Sequence, residues 1–214
     1  MAETLDLFGQ SGPQALSDGA VLIRGFALAQ AEALIADIED VAAQAPFRRL
    51  MTPGGKPMSA AMTNCGAAGW VSDRRGYRYE ACDPQTGRLW PDMPDGFRDL
   101  AVEAAQAAGF EGFDPDACLI NLYGPGARMS LHQDRDETDL SQPIVSVSLG
   151  LEAVFLWGGM ARTDPTQKII LRHGDVVVFG GASRLRFHGI APLKPGHCPG
   201  IGARRYNLTF RRAI

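Results

Sequence analysis

The chain has 214 residues, of which 45% are hydrophobic and 21% charged, a composition ordinary for one globular domain or two small ones. No apolar run approaches the roughly 20 residues of a membrane-spanning helix, and residues 1–10 lack the basic and apolar regions of a secretory signal. The four cysteines are scattered without a C-x-x-C pair, which favours reduced thiols in a cytoplasmic protein. Transmembrane, secreted disulfide-rich and fibrous classes are therefore excluded.

Basic residues are concentrated in two segments, although the net charge of the chain is −3. Residues 45–80 hold six basic and two acidic residues, and residues 180–214 hold seven basic residues and no acid. Such segments are what a polyanion-binding face needs. Ordinary solvated surface explains them equally well at this stage.

The hydrophobic pattern predicts a single domain. Residues 20–24 form a strand, 29–45 an amphipathic helix, and 94–108 a second helix. Between the helices, repeated Gly and Pro turns make 46–93 a region of hairpins and loops. From Ala117 onward the pattern predicts eight short strands, at 117–123, 129–133, 144–150, 153–157, 168–172, 175–179, 184–188 and 204–211. Short strands between turns indicate a sandwich or barrel of the jelly-roll kind, with the helices packed outside it.

Three residues at or near the ends of predicted strands have the character of metal ligands. His132 and Asp134 are two apart on extended backbone, so both side chains point to one side. His188 ends a later strand that a closed barrel places beside the first. Two imidazoles and one carboxylate on one face of an octahedron are the ligands of non-haem Fe(II) oxygenases. An H-x-D pair is more often a structural hydrogen bond, and His173, which precedes a turn, is interpreted as structural or exposed.

The last predicted strand alternates in an unusual way. Its polar face carries Arg205, Asn207, Thr209 and Arg211, whereas Tyr206, Leu208 and Phe210 form an apolar face. If the apolar face packs against a helix, both guanidiniums point into the barrel, where they require anionic partners. A small dicarboxylate meets that need. Asn121 and Tyr123, also two apart, add polar groups on one face.

These motifs together resemble the AlkB-type Fe(II)/2-oxoglutarate dioxygenases, which repair alkylated nucleic acids. The resemblance to the bacterial repair branch runs from about residue 4 to 212 and includes further matching segments, at 52–55, 58–66, 69–70, 115–121, 146–150 and 173–177. It implies an α+β, mainly β fold: a double-stranded β-helix (jelly-roll) core over 117–212, flanking helices, and an N-terminal nucleotide-recognition lid over 46–93. Residues 1–45 supply the first strand and helix of this single domain, 1–214.

The resemblance also implies the cofactors, Fe(II), 2-oxoglutarate and O₂. His132, Asp134 and His188 hold the iron; Arg205 pairs with the distal carboxylate of 2-oxoglutarate, helped by Tyr123 and Asn207. Arg211 and Asn121 hold its proximal end. The implied reaction is oxidative demethylation of 1-methyladenine or 3-methylcytosine in single-stranded DNA or RNA, with release of succinate, CO₂ and formaldehyde.

Residues for the flipped base follow from the same resemblance. Trp70 stacks on the base, with Tyr77 nearby, and Met58 packs along the pocket; Asp136 faces the cationic lesion, and Arg162 contacts base or phosphate. Core packing for Trp70 and a turn role for Asp136 remain the ordinary alternatives. Lys56 and Arg186 stand where this branch leads us to expect aromatic residues, which leaves the lid contacts open.

Three other functions compete with this one. They are a non-catalytic module that binds alkylated nucleic acid, a cupin-like zinc hydrolase at the same ligands, and a dioxygenase acting on RNA or protein. The metal triad and both arginines count against the first; the two inward arginines, which would have no role, and the lack of a general base count against the second. Nothing in the sequence calls for a partner chain or a membrane, so we expect a monomer.

Overall fold

The computed structural model describes residues 12–214, and within that range it contains two α-helices and thirteen β-strands. The helices are α1 (Ala31–Gln44) and α2 (Asp95–Ala107). The strands are β1 (Gln14–Ser17), β2 (Ala20–Ile23), β3 (Ala61–Gly66), β4 (Gly69–Asp73), β5 (Gly76–Glu80), β6 (Ala117–Tyr123), β7 (Met129–His132), β8 (Ile144–Gly150), β9 (Ala153–Trp157), β10 (Gln167–Leu171), β11 (Val176–Phe179), β12 (His188–Ile190) and β13 (Arg205–Arg211). Neither helix is long and apolar enough to cross a membrane.

Two antiparallel sheets form the jelly roll that the sequence predicts. The larger sheet has seven strands in the order β1-β2-β11-β8-β13-β6-β3, and the smaller has four in the order β10-β9-β12-β7. A core of buried apolar side chains lies between them, contributed by both sheets, including Phe155, Trp157, Ile169, Val177 and Phe179. Strands β4 and β5 form a separate hairpin.

The two helices cover the outer face of the larger sheet, as their apolar spacing predicts. Leu34, Ile38 and Val41 of α1 are buried there, and so are Phe97 and Leu100 of α2. They pack in one cluster with outward-facing residues of the sheet, such as Val147, Val176, Leu208 and Phe210. The helices therefore stabilise the sheet from behind and leave its inner face available for a site.

Strand β13 is an interior strand of the larger sheet, between β8 and β6, and follows its predicted alternation. It pairs with β6 over seven residue pairs and with β8 over six, with no bulge. All seven residues are buried. The polar residues Arg205, Asn207, Thr209 and Arg211 thus lie inside the protein, as expected if the apolar face packs against a helix.

Three local predictions differ from the structure. Residues 184–188 do not form a strand: a 3-10 turn at Gly181–Ser183 continues into irregular backbone, and β12 only begins at His188. The Arg184 side chain turns inward there to donate to the Asp134 and Gln142 carbonyls. Strand β1 was not predicted, and β3, inside the predicted 46–93 loop region, is an edge strand of the larger sheet.

Candidate metal and cofactor site

Strand pairing brings the three predicted metal ligands together at one end of the small sheet. His132 ends β7 and His188 begins β12, and the two are direct partners across the strand pair. Asp134 Oδ1 lies 3.5 Å from His132 Nε2, and Asp134 Oδ2 lies 3.7 Å from His188 Nε2. Within residues 12–214 this is the group of His, Cys, Asp or Glu side chains whose ligand atoms converge, all within 4.8 Å of one another.

Backbone carbonyls orient both imidazoles for metal binding. His132 Nδ1 is 2.9 Å from the Ser130 carbonyl, and His188 Nδ1 is 3.0 Å from the Arg186 carbonyl. Because a carbonyl only accepts, each Nδ1 carries the hydrogen and each Nε2 offers its lone pair to the centre of the triad.

The protonation states of Asp134 and His188 suit a cation. Burial, together with the neighbouring His132, lowers the pKa of His188 to about 4, so this imidazole is neutral near pH 7. Burial alone raises the pKa of Asp134, but the Arg211 guanidinium and the two imidazoles together hold it well below its usual range. A carboxylate and neutral imidazoles are the forms that bind a metal.

Arg205 supplies a cation without an anionic partner among the described residues. It is 1% exposed; its Nη2 donates to Ser148 Oγ at 2.8 Å, while Nε and Nη1 have no hydrogen-bond partner. Its guanidinium lies 5.1 Å from the centre of the Tyr123 ring. Unpaired buried guanidinium donors are costly, and a carboxylate satisfies them. The donor set therefore fits a bound dicarboxylate.

The remaining cofactor residues line the same cavity as the metal triad and Arg205. Asn207 Nδ2 donates to Ser146 Oγ and to the Val147 carbonyl at 2.9 and 3.0 Å, and Asn121 Oδ1 is buried without a partner. Arg211 differs from Arg205, because its Nη2 already donates to Asp134 Oδ2 at 2.9 Å. The cavity thus combines all eight residues expected to hold metal and cofactor, with the two arginines in unequal surroundings.

The structure brings three of the five predicted substrate residues together. Trp70 on β4 donates from Nε1 to Asp136 Oδ2 at 2.9 Å and stacks on Tyr77 of β5, with ring centres 5.4 Å apart. Met58 is half-buried against the core between the sheets, as Trp70 is in part. Arg162 is exposed and lies over the Phe187 ring, with no contact to the Trp70 group.

The charge balance of the two basic segments overstates the basic surface. Arg184, Arg205 and Arg211 of segment 180–214 are buried. In segment 45–80, Arg48 pairs with Asp83, and Arg78 pairs with Asp73 and Glu80.

The sequence did not single out Glu137 or Arg184, which lie around Arg211, and it placed Tyr79 only near Trp70, whereas the Tyr79 hydroxyl also bonds to Glu137. The charges of Glu137 and Arg184 were the only available signal in the sequence, because their burial is visible only in the structure.

A jelly roll with a two-histidine, one-aspartate triad and a buried arginine defines the class of Fe(II)- and 2-oxoglutarate-dependent oxygenases. The model of the 2OG-Fe(II) oxygenase superfamily matches residues 19–211, and the chain belongs to this superfamily. It is 58% identical to the alpha-ketoglutarate-dependent dioxygenase AlkB of Escherichia coli over 98% of both chains. It is 50% identical to the AlkB homologue of Caulobacter vibrioides, over 85% of this chain and 80% of that one.

Among solved structures, the one titled "The structure of OsALKBH1" matches with a TM-score of 0.82 at 31% identity, covering 94% of this chain and 99% of that chain. The predicted jelly-roll core with flanking helices and the family resemblance are therefore confirmed.

Proposed function

We propose that this 2OG-Fe(II) oxygenase demethylates N-alkylated bases of the 1-methyladenine and 3-methylcytosine type in single-stranded DNA, a direct-reversal repair. One observation carries the substrate class: the Trp70 indole is bonded to Asp136, two residues beyond the metal ligand Asp134. An aromatic stacking surface beside an exposed carboxylate suits a flat, cationic base. The 58% identity to a dioxygenase named AlkB supports the same conclusion.

Separate groups of residues would bind the metal and the two ends of 2-oxoglutarate. His132, Asp134 and His188 would hold Fe(II), Arg205 with Tyr123 and Asn207 the distal carboxylate of 2-oxoglutarate, and Arg211 with Asn121 its proximal end. When bound, Fe(II), 2-oxoglutarate and O₂ supply the oxidation, in which 2-oxoglutarate becomes succinate and CO₂ and the methyl group leaves as formaldehyde. The protein orients both substrates and keeps the ligands in their binding forms.

Recognition of the lesion rests on charge and stacking. A base methylated at the pairing edge is cationic and cannot pair normally, which lowers the cost of extrusion from a duplex. Asp136 offers a negative charge to that base, and Trp70 offers a π-face. We propose that the β4–β5 hairpin acts with residues 46–60 as a lid over the nucleotide, with Met58 lining the pocket and Arg162 contacting the flanking strand.

We further propose that the protein acts as a cytoplasmic monomer. Its four cysteines are free thiols, two of them buried, as expected in a reducing compartment. A zinc hydrolase would leave the unpaired donors of Arg205 without a role, so the oxygenase is favoured over it.

Demethylation of a defined oligonucleotide tests the proposal. A single-stranded oligonucleotide with one 1-methyladenine is incubated with protein, Fe(II), 2-oxoglutarate, ascorbate and air, and its mass is followed. We expect loss of one methyl group that requires 2-oxoglutarate.

His132→Ala is expected to abolish the reaction, whereas His197→Gln, in an exposed loop, retains it. Succinate formation without demethylation would redirect the search to RNA or protein substrates. If metal-loaded protein forms neither succinate nor demethylated oligonucleotide, the non-catalytic binding module is favoured.

A further inference from the structure

A buried network of charges extends from the metal ligand Asp134 to the β4–β5 hairpin. Arg211 Nη2 donates to Asp134 Oδ2 at 2.9 Å, and Arg211 Nε forms an ion pair with Glu137 Oε1 at 3.1 Å. Glu137 Oε2 accepts from Arg184 Nη2 at 3.0 Å. On the hairpin side, the Tyr79 hydroxyl donates to Glu137 Oε1 at 2.8 Å.

The network is balanced in charge and closed to solvent. Its two carboxylates and two guanidiniums are each less than 9% exposed, so every charge depends on its partners. Arg184 also donates to the Asp134 carbonyl at 2.5 Å, which fixes the backbone of the metal ligand. Burial raises the pKa of Tyr79 well above its usual range, so its hydroxyl keeps the proton that it donates.

Tyr79 is the member of this network that does not belong to the jelly roll. It lies on β5 directly opposite Trp70 on β4. These two side chains contact consecutive residues, Trp70 bonding to Asp136 and Tyr79 to Glu137. The hairpin therefore holds the segment just after Asp134 at two points, one exposed and one partly buried.

The two contacts differ in whether a bound base can reach them, because only the Trp70–Asp136 contact is exposed. A base stacked on Trp70 would compete for Asp136 and so would shift the hairpin against segment 134–137. Because Trp70 and Tyr79 are cross-strand partners, a shift of one moves the other. A change in the Tyr79–Glu137 hydrogen bond would in turn alter the ion pair of Glu137 with Arg211, and with it the Arg211–Asp134 contact.

We propose that Tyr79 and Glu137 are positioning residues that couple nucleotide binding at the hairpin to 2-oxoglutarate binding at the metal. The inference rests on the proposed function, since it requires that the nucleotide bind against Trp70. Arg211 is the shared element: it holds the metal ligand on one side and is oriented by Glu137 on the other. Neither Tyr79 nor Glu137 contacts a metal ligand directly by its side chain.

Linkage between two ligands tests the coupling without turnover. Titration calorimetry measures 2-oxoglutarate binding to the protein loaded with Mn(II) in the absence of O₂, with and without a 1-methyladenine oligonucleotide. We expect the oligonucleotide to change the affinity of the wild type about fivefold or more. In Tyr79→Phe, which removes one hydroxyl, this factor is expected to fall below about twofold, while oligonucleotide binding itself persists.

Tyr206→Phe is the matched control. Its hydroxyl accepts from Arg204 on the helix-facing side of β13, away from the cavity, so the linkage is expected to remain. Unchanged linkage in Tyr79→Phe, no linkage in a wild type that binds the oligonucleotide, or equal loss in Tyr206→Phe would overturn the coupling. A wild type that does not bind the oligonucleotide would instead overturn the proposed function.

Discussion

The two inward arginines of β13 look equivalent in sequence but occupy different electrostatic environments. Arg211 is held by Asp134 and Glu137, whereas Arg205 is paired only with a serine hydroxyl and leaves two nitrogens without partners. The alternation of the strand predicts that both point inward. It does not predict which one is already neutralised, because Glu137 comes from a loop whose path depends on the whole barrel.

The unpaired donors of Arg205 make its replacement informative. Arg205→Ala is expected to weaken 2-oxoglutarate binding by about 100-fold, roughly 2–3 kcal/mol, because charge-assisted hydrogen bonds to a carboxylate are lost. Calorimetry on Mn(II)-loaded protein without O₂ measures this affinity. Thermal unfolding of the ligand-free protein should change little, since a buried charge without an anionic partner stabilises it weakly.

Arg204→Ala is the neighbouring control. Its guanidinium is exposed and contacts Tyr206 and the Ile201 carbonyl, so 2-oxoglutarate affinity should remain that of the wild type. An Arg205→Ala protein with unaltered affinity would remove Arg205 from the cofactor site.

At the scale of elements, the local sequence pattern predicted most of the structure. It failed at residues 184–188 and at strand β1. Both helices and seven of the eight later strands were predicted within a few residues of their observed bounds. Residues 184–188 were not, because the inward ion pair of Arg184 with Glu137 displaces the regular strand. Strand β1 contains Pro-flanked polar sequence without alternation, so its pairing with β2 depends on context rather than pattern.

The β4–β5 hairpin is the element on which the proposed substrate binding depends. Trp70→Ala should weaken binding of a methylated single-stranded oligonucleotide by roughly 1–3 kcal/mol through lost stacking. Fluorescence anisotropy of a labelled oligonucleotide measures this change.

In the same variant, turnover of 2-oxoglutarate without nucleotide should continue, because Trp70 lies outside the metal triad. Loss of metal binding would show that Trp70 serves the core instead.

The loop before α2 is anchored by an ion pair that should respond to acid. Burial raises the pKa of Asp83, but hydrogen bonds from Arg48 and the Gln85 amide outweigh it and lower the value below the usual 3.8. A lowered carboxyl pKa contributes stability that is present above about pH 4 and is lost as the pH falls below it.

Asp83→Asn should therefore cost about 1–3 kcal/mol at pH 7, with the difference from wild type shrinking toward pH 3 in urea unfolding. A difference that stays constant with pH would mean that the ion pair is not what Asp83 contributes.

For the molecule as a whole, the two faces of the larger sheet have different roles. Its outer face packs on the helices and its inner face carries the site, so stability and ligand binding are largely independent across it. Phe210, fully buried and in edge contact with Phe97 of α2, belongs to the outer face. Sequence alternation predicted this division, but the convergence of His132 with His188 required the closed topology.

Truncation of an apolar side chain on the outer face should lower the free energy of unfolding without changing the affinity for 2-oxoglutarate. Phe210→Ala is expected to lower the free energy of unfolding by about 3–5 kcal/mol through the cavity that it leaves. Ile170→Ala, on the edge strand β10 and 41% exposed, should cost well under half of that.

Urea unfolding measures both variants, and 2-oxoglutarate affinity is measured at a temperature where each is folded. Weakened affinity in folded Phe210→Ala would show that the two faces are not independent.

The unbroken pairing of β13 on both edges limits how this molecule can evolve. Insertion or deletion of one residue between Arg205 and Arg211 would invert the alternation beyond that point, turning one of the two arginines toward the helices and apolar side chains toward the metal. Such length changes should therefore disrupt the cofactor site, whereas point substitutions preserve the register. Diversification toward new lesions must come from segments free to vary in length, such as the loops around the β4–β5 hairpin and residues 158–166.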